Sequence, residues 1–150
     1  GHDAAAFARL LAEARVGERR RAPAPIAGSD ADAGAIAAAR DNARRAGVED
    51  DLELGQRPLA ALPARAGAGL CAANPPYGKR VGAAEGDVHQ LWRSLGDVAR
   101  ERLPGFAVAL VCPDPRLAKA SRLPLGPLLR TQNGGLRVEF LRASPARGEG

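Results

Sequence analysis

The stretch Leu70-Cys71-Ala72-Ala73-Asn74-Pro75-Pro76-Tyr77-Gly78 decides the fold of this chain. Its first four residues are apolar and have the length of a short buried strand. The two prolines prevent that strand from continuing as a helix or as part of a hydrogen-bonded ladder. Because a residue that precedes proline is driven to extended geometry, Asn74 and Pro75 are both expected to be extended. The stretch therefore predicts a stiff corner at the carboxyl end of a strand, where open α/β sheets bind ligands.

The chemistry of this corner suits a planar amino group. The side-chain oxygen of Asn74 and the carbonyl oxygen of Pro75 can together accept both hydrogens of such a group, and Tyr77 can lie flat against the ring that bears it. The corner thus predicts a site that holds an aromatic or amide nitrogen while that nitrogen is modified. The alternative is a proline-terminated strand whose tyrosine packs on the surface, but this sequence serves no evident packing need.

Strand and helix patterns alternate on both sides of the corner and then give way to a hairpin. Helices are predicted over residues 2–16, 32–46, 88–103 and 114–122. Strands are predicted over residues 25–28, 52–56, 70–73, 106–111, 128–131 and 136–141, with the last two flanking the turn Asn133-Gly134-Gly135. This order predicts an α/β fold with a Rossmann-like sheet and an antiparallel hairpin at its end.

A second candidate site follows the strand that begins at residue 25. Ser29 and Asp30 end this strand and open the next helix. A carboxylate in that position can accept two hydrogen bonds from a ribose diol. The alternative is that Asp30 only caps the helix, since Asp is a preferred cap residue.

Three segments together resemble a known family. They are Asn74-Pro75-Pro76-Tyr77-Gly78-Lys79-Arg80-Val81-Gly82, Gly28-Ser29-Asp30-Ala31-Asp32 and Ala39-Arg40-Asp41-Asn42-Ala43-Arg44-Arg45-Ala46-Gly47. They resemble the catalytic domain of the THUMP-linked RNA guanine-N2 methyltransferases (RlmL-like) that act on large-subunit rRNA. The similarity runs from His2-Asp3 to the turn at residues 133–135. It implies a class I methyltransferase sheet, S-adenosylmethionine as cofactor, and methyl transfer to the exocyclic amino group of a guanine in rRNA.

The resemblance also assigns roles to single residues. It implies catalytic roles for Asn74, Pro75, Pro76 and Tyr77, with Tyr77 stacked on an extruded base. For the cofactor it implies Asp30 on the ribose, Ala31 beside the adenine, and Asn74. The family carries an acidic residue on the adenine amino group, but residues 54–58 contain no carboxylate, so Gln56 is the acceptor expected there. Lys79 and Arg80 are expected to contact RNA phosphates, or else to be an exposed, solvated pair.

Two parts of the family pattern are not found in this sequence. The first strand and its glycine-rich cofactor loop would precede His2, and a THUMP domain would lie further upstream. The missing strand belongs between the strand that ends at Asp30 and the strand that ends at Ala73. We therefore expect residues 1–150 to be the C-terminal part of a methyltransferase domain in a longer enzyme.

Composition gives weaker constraints. The net charge of +5 and the pI near 10.2 suit a polyanionic partner such as RNA, although 20 of the 22 basic residues are arginines in an alanine- and glycine-rich chain, as a GC-rich genome produces. Cys71 and Cys112 are expected to be reduced thiols of a cytoplasmic protein. Neither a metal site nor a membrane span is predicted, and the oligomeric state is left open. The remaining alternatives are methylation of DNA adenine or protein glutamine, and a non-catalytic binding module.

Overall fold

The computed structural model describes residues 3–77, 85–133 and 135–145. Residues 1–56 and residues 57–150 form two compact units, which are described one at a time. Both units combine helices with strands, and the predicted α/β class is confirmed. No helix within the described ranges is long and apolar enough to cross a bilayer.

The first unit is a βαβ arrangement preceded by a helix. Helix α1 spans Ala4–Val16, strand β1 spans Ile26–Asp30, helix α2 spans Ala33–Ala46 and strand β2 spans Leu52–Gln56. Strands β1 and β2 are parallel, with Ile26 opposite Leu52 and Asp30 opposite Gln56. Because the strands are parallel and in register, their carboxyl ends lie side by side.

Local sequence explains the ends of helix α2. The carboxylate of Asp32 accepts a hydrogen bond from the backbone N–H of Gly34 at 2.7 Å, which satisfies a donor in the first turn. Gly47 ends the helix in the left-handed region, at φ 70°, where glycine has no Cβ to strain. Asp32 is therefore the cap residue of this helix.

Helix α1 differs from the other long helices in how little it buries. Asp3 caps it by accepting from the N–H of Ala6 at 2.9 Å. None of its residues is buried, and Phe7 and Leu10 are 57% and 60% exposed. The apolar spacing that predicted a helix is therefore confirmed as helical periodicity, but its apolar stripe is not buried.

The second unit carries a mixed four-stranded sheet. Its elements are strand β3 (Gly69–Ala73), helix α3 (Glu85–Arg102), strand β4 (Phe106–Cys112), helix α4 (Pro115–Ala120), strand β5 (Gly126–Asn133) and strand β6 (Leu136–Ala143). The strand order is β3-β4-β6-β5. Strands β3 and β4 are parallel, β4 and β6 are antiparallel, and β5 and β6 form the predicted antiparallel hairpin.

Helix α3 supplies much of the core on one face of this sheet. Trp92, Leu95 and Ala99 pack with Leu110 of β4 and Leu141 of β6 in one buried cluster. Gly96 permits a close approach of α3 and α4, because a Cβ at this position would lie 1.8 Å from the carbonyl oxygen of Ser121. The helix predicted over residues 88–103 is confirmed, and its apolar side chains lie in the core.

Strands β1 and β3 each have a single neighbour within the described ranges, β2 and β4 respectively. These are the two strands between which the resemblance puts a further strand. The described strands form two sheets, one in each unit.

Candidate functional site

The proline corner follows strand β3 directly, as the sequence predicts. Asn74 is exposed, Pro75 is buried, Pro76 is exposed and Tyr77 is half-buried against the core cluster of the second unit. The side chain of Asn74 and the carbonyl of Pro75 have no hydrogen-bond partner among the described residues. Two acceptors at the carboxyl end of a strand are thus unused by the described part of the chain.

The carbonyl of the next residue is used differently. The indole Nε1 of Trp92 donates a hydrogen bond to the Pro76 oxygen at 3.2 Å, and Trp92 is fully buried. A buried indole N–H normally finds an acceptor, and here that acceptor is part of the corner itself. Helix α3 therefore anchors the corner to the core.

The link between Trp92 and the corner was missed at the level of sequence. Trp92 is a core residue of helix α3. The sequence feature that indicates such a link is the indole N–H group of Trp92, which needs a hydrogen-bond acceptor once the ring is buried. Nothing in the spacing of residues 76 and 92 indicates which acceptor it finds.

In the first unit, the structure brings Asp30, Ala31 and Gln56 together. Oδ1 of Asp30 accepts from the backbone N–H of Asp32 at 2.9 Å, and Nε2 of Gln56 donates to the carbonyl oxygen of Ala31 at 3.2 Å. Asp30 is exposed, and its Oδ2 has no hydrogen-bond partner in the described part of the chain. Asp32 rather than Asp30 is the N-cap of helix α2, and the role of Asp30 as a ribose ligand stays a prediction.

These contacts determine which atoms of the first unit can accept hydrogen bonds. The Ala31 carbonyl can only accept, so the amide nitrogen of Gln56 faces it and Oε1 of Gln56 is left as an acceptor. Together with the open oxygen of Asp30, this gives two acceptors at the adjacent carboxyl ends of β1 and β2. A ribose diol and an exocyclic amino group are ligands that such acceptors suit.

Lys79 and Arg80, the residues expected to contact RNA, lie outside the described residues, as do Gly78, Val81 and Gly82. Their role stays a prediction.

The cysteines are free thiols, with Cys71 half-buried and Cys112 buried. Burial raises the pKa of both thiols above the ordinary value, so both are protonated at neutral pH. The Cys112 Sγ also donates a hydrogen bond to the carbonyl oxygen of Asp114 at 3.0 Å. Neither thiol has the thiolate character of a nucleophile. Within the described ranges, no three His, Cys, Asp or Glu residues cluster as metal ligands would.

Comparison with known families gives one match that covers most of the chain. The family described as the RMKL-like methyltransferase domain matches residues 2–124.

Curated relatives match over nearly the whole chain. The ribosomal RNA large subunit methyltransferase K/L of Shewanella sp. (strain MR-4) is 32% identical over 142 residues, which is 93% of this chain and 20% of that protein. The protein of the same name from Syntrophotalea carbinolica is 37% identical over 149 residues, again 93% of this chain and 20% of the relative. The chain therefore spans about a fifth of the length of these relatives.

Two solved structures are similar in fold. SMU.472, crystallised in complex with SAH, superposes with a TM-score of 0.82 at 24% identity, covering 99% of this chain and 39% of that one. A Listeria monocytogenes protein named as a predicted N6-adenine-specific DNA methylase superposes with a TM-score of 0.66 at 27% identity, covering 83% of this chain and 31% of that one. The expected methyltransferase sheet is confirmed by these folds.

Proposed function

The chain belongs to the family of RMKL-like methyltransferase domains, and on that basis we propose that it carries the amino-binding site of an S-adenosylmethionine-dependent RNA methyltransferase. The product is a methylated exocyclic amino group of a guanine in large-subunit rRNA. The relatives named for rRNA methylation at about a third identity support this substrate class. The proposal assigns the chain to the C-terminal part of a longer methyltransferase, acting in the cytoplasm on ribosomal RNA.

One observation carries the proposal. Of the acceptors at the proline corner, the Pro76 carbonyl is occupied by Trp92, whereas the Asn74 side chain and the Pro75 carbonyl have no hydrogen-bond partner in the described part of the chain. A planar NH₂ group has two hydrogens to donate, and the corner offers two acceptors to receive them. Tyr77 is held against the core beside them, where one ring face can stack on a base.

The two acceptors also favour reaction at the nitrogen. The lone pair of an aromatic amine is delocalised into its ring, so the nitrogen is a poor nucleophile while it is planar. Hydrogen bonds to Asn74 and to the Pro75 carbonyl favour a tetrahedral nitrogen with a localised lone pair. As the new N–C bond forms, positive charge grows on the nitrogen, and the same fixed oxygens stabilise it. The cationic product then loses a proton to water without a dedicated base.

Three of the four proposed cofactor residues belong to the first unit. Bound S-adenosylmethionine supplies an electrophilic methyl group, whose bond to sulfur breaks as the N–C bond forms. The donor set fits this ligand, since the open oxygen of Asp30 suits a ribose diol and Oε1 of Gln56 suits the adenine amino group. Ala31 lies beside the adenine in this proposal, and its carbonyl orients the Gln56 amide. The fourth residue of the proposal, Asn74, follows strand β3 in the second unit.

Lys79 and Arg80 complete the proposal as contacts to RNA phosphates. They follow Tyr77 in the sequence by two and three residues, and basic side chains are the usual phosphate contacts. The net charge of +5 is in keeping with an RNA partner.

Methylation by the full-length gene product tests the proposal. We expect labelled methyl groups from S-adenosylmethionine to enter large-subunit rRNA, and nucleoside mass spectrometry to find N2-methylguanosine. Duplex DNA and a glutamine-containing protein serve as competing substrates in the same assay. Methylation of either of those in place of rRNA would overturn the substrate assignment.

A second candidate function is methylation of adenine in DNA, favoured by the Listeria protein at 27% identity whose name carries that activity. The assay separates it by the identity of the methylated base. A non-catalytic module is separated by calorimetry with S-adenosylmethionine, because a full-length gene product that releases no binding heat has no cofactor site. Binding by the full-length product but not by residues 1–150 supports the chain as part of a longer enzyme.

A further inference from the structure

A cavity of about 580 Å³ lies in the second unit between helix α4 and the β5–β6 hairpin. One wall is apolar and includes Pro113, Pro115 and Ala118, with Pro127 across from them. The hairpin contributes polar side chains, including Arg130, Gln132 and Arg137. We refer to this cavity as the hairpin groove. Its volume lies in the range of small-molecule and nucleotide sites.

Strand register puts the hairpin groove at the same end of the strands as the proline corner, namely the carboxyl ends of β3 and β4. Ala73, which precedes the corner, is opposite Leu110 of β4, so both strands end within two residues of each other. Cys112 at the end of β4 is opposite Glu139 of β6. Because the two strands are antiparallel, Arg137 lies two residues beyond that pair in the direction in which β4 ends. Two to three strand spacings separate β3 from the hairpin, which is about 10 to 15 Å.

The charges in the groove are not balanced. Nε of Arg130 lies 2.7 Å from Oε1 of Glu139, so these two charges compensate each other. Arg137 is opposite Gln132 and has no ion pair in the described part of the chain. One exposed guanidinium is thus left to face a ligand, and guanidinium is the side chain best matched to a phosphate.

We propose that the hairpin groove binds the RNA strand next to the nucleotide held at the proline corner. This proposal rests on the proposed function, since it places the same RNA strand along the same ends of the strands of the sheet. Arg137 contacts a phosphate, Gln132 and Thr131 offer hydrogen bonds to a base edge, and the proline rings give the sugar and base flat apolar surfaces. A cationic groove with apolar surfaces for sugars and bases is the usual form of a single-strand site.

The chain offers a matched control for this proposal. Arg142 is also an exposed arginine on β6 without an ion pair in the described ranges, but it is opposite Gly126 and lies toward the other end of the strand. Arg142 lies five positions further along the strand than Arg137, and because side chains alternate along a strand it projects from the opposite face. Arg137→Ala and Arg142→Ala thus remove the same charge from the same strand at two different surfaces.

The experiment measures the affinity of the full-length gene product for a labelled single-stranded RNA taken from large-subunit rRNA, at several salt concentrations and without cofactor. Arg137→Ala is expected to weaken binding by up to about fivefold. It is also expected to reduce the slope of log affinity against log salt by about 0.7, the value for one lost phosphate contact on a single strand. Arg142→Ala is expected to leave both quantities unchanged.

Equal effects of the two substitutions on RNA affinity, or no effect of either, would overturn the proposal that the groove binds RNA. Methylation assays on the same proteins keep this result separate from the proposed function. If rRNA is methylated and the two variants bind RNA with equal affinity, the proposed function is supported and the proposal that the groove binds RNA is wrong. If no rRNA is methylated while only Arg137→Ala weakens RNA binding, the groove stands and the function is wrong. Circular dichroism melts check that both variants fold, and Arg137→Glu with Arg142→Glu repeats the comparison with a larger change in charge.

Discussion

The indole Nε1 of Trp92, in the buried centre of helix α3, donates a hydrogen bond at 3.2 Å to the carbonyl oxygen of Pro76, in the corner that follows strand β3. The bond joins the most buried side chain of the helix to an exposed turn. It occupies one carbonyl of the corner and so determines which acceptors are left for a substrate. Trp92 is therefore a positioning residue of the proposed site as well as a core residue.

Trp92→Phe is expected to slow methyl transfer and to lower stability. Loss of the N–H leaves the Pro76 carbonyl without its partner, and a smaller ring packs less well. Together these effects lower the free energy of unfolding by about 1 to 3 kcal/mol. The measurements are kcat for rRNA methylation and urea unfolding, with the exposed neighbour Arg93→Ala as control. A variant that unfolds more easily but transfers methyl groups at the wild-type rate would show that the bond is only structural.

Asn74→Ala is expected to reduce kcat by about a hundredfold, the usual cost of removing one fixed group that stabilises charge in a transition state. Because Asn74 is exposed and has no hydrogen-bond partner among described residues, its free energy of unfolding should change by no more than about 0.5 kcal/mol. The same substitution at Asn42, an exposed residue of helix α2, is the control. Comparable activity in the two variants would remove Asn74 from the site.

Substitutions of Asp30 and Asp32 are expected to separate the effect of ligand binding from that of helix capping. Asp32→Ala is expected to lower the free energy of unfolding by about 1 kcal/mol, because it removes the acceptor for the N–H of Gly34. Asp30→Ala is expected to weaken S-adenosylmethionine binding to the full-length gene product by about tenfold or more, through loss of charge-assisted hydrogen bonds to the ribose. Calorimetry and thermal melts measure the two effects. If Asp32→Ala lowers cofactor affinity as much as Asp30→Ala does, the assignment of the ribose to Asp30 fails.

Gly96 and Gly86 test the packing of helix α3 as a matched pair. A Cβ at Gly96 would meet the backbone oxygen of Ser121 at 1.8 Å, so Gly96→Ala forces α3 and α4 apart and is expected to cost about 2 to 4 kcal/mol. Gly86 lies on the same helix with no atom within 4 Å of its added Cβ, and Gly86→Ala is expected to be neutral or to stabilise by up to about 1 kcal/mol. Urea unfolding gives both values. Equal effects would contradict the close approach of the two helices.

Much of the fold follows from local sequence. The strand of residues 52–56 was predicted with its observed bounds, and the turn at residues 133–135 correctly predicted the final hairpin, because proline, glycine and alternating apolar residues act over short distances. The sequence also identified the corner at Asn74 and the strand end at Asp30. Their exposed positions agree with a ligand site, although their roles stay predictions.

Contacts between distant residues were beyond such reasoning. The Trp92–Pro76 hydrogen bond joins two elements 16 residues apart, and the Gln56–Ala31 bond joins a strand end to a turn 25 residues away. The hairpin groove likewise depends on strand register and on the place of helix α4, neither of which leaves a local pattern. The exposure of α1 was also not predictable, because apolar residues at helical spacing indicate a helix but do not indicate whether another element packs on it.

The exposure of helix α1 has a consequence for how the chain opens. A 13-residue helix is marginal in water by itself, and α1 buries none of its side chains. Its amide protons should therefore exchange with deuterium far faster than those of β4, where Val108, Leu110 and Cys112 are buried. The first helix and the central strand thus belong to different cooperative units, so the helix can fray while the strand stays protected.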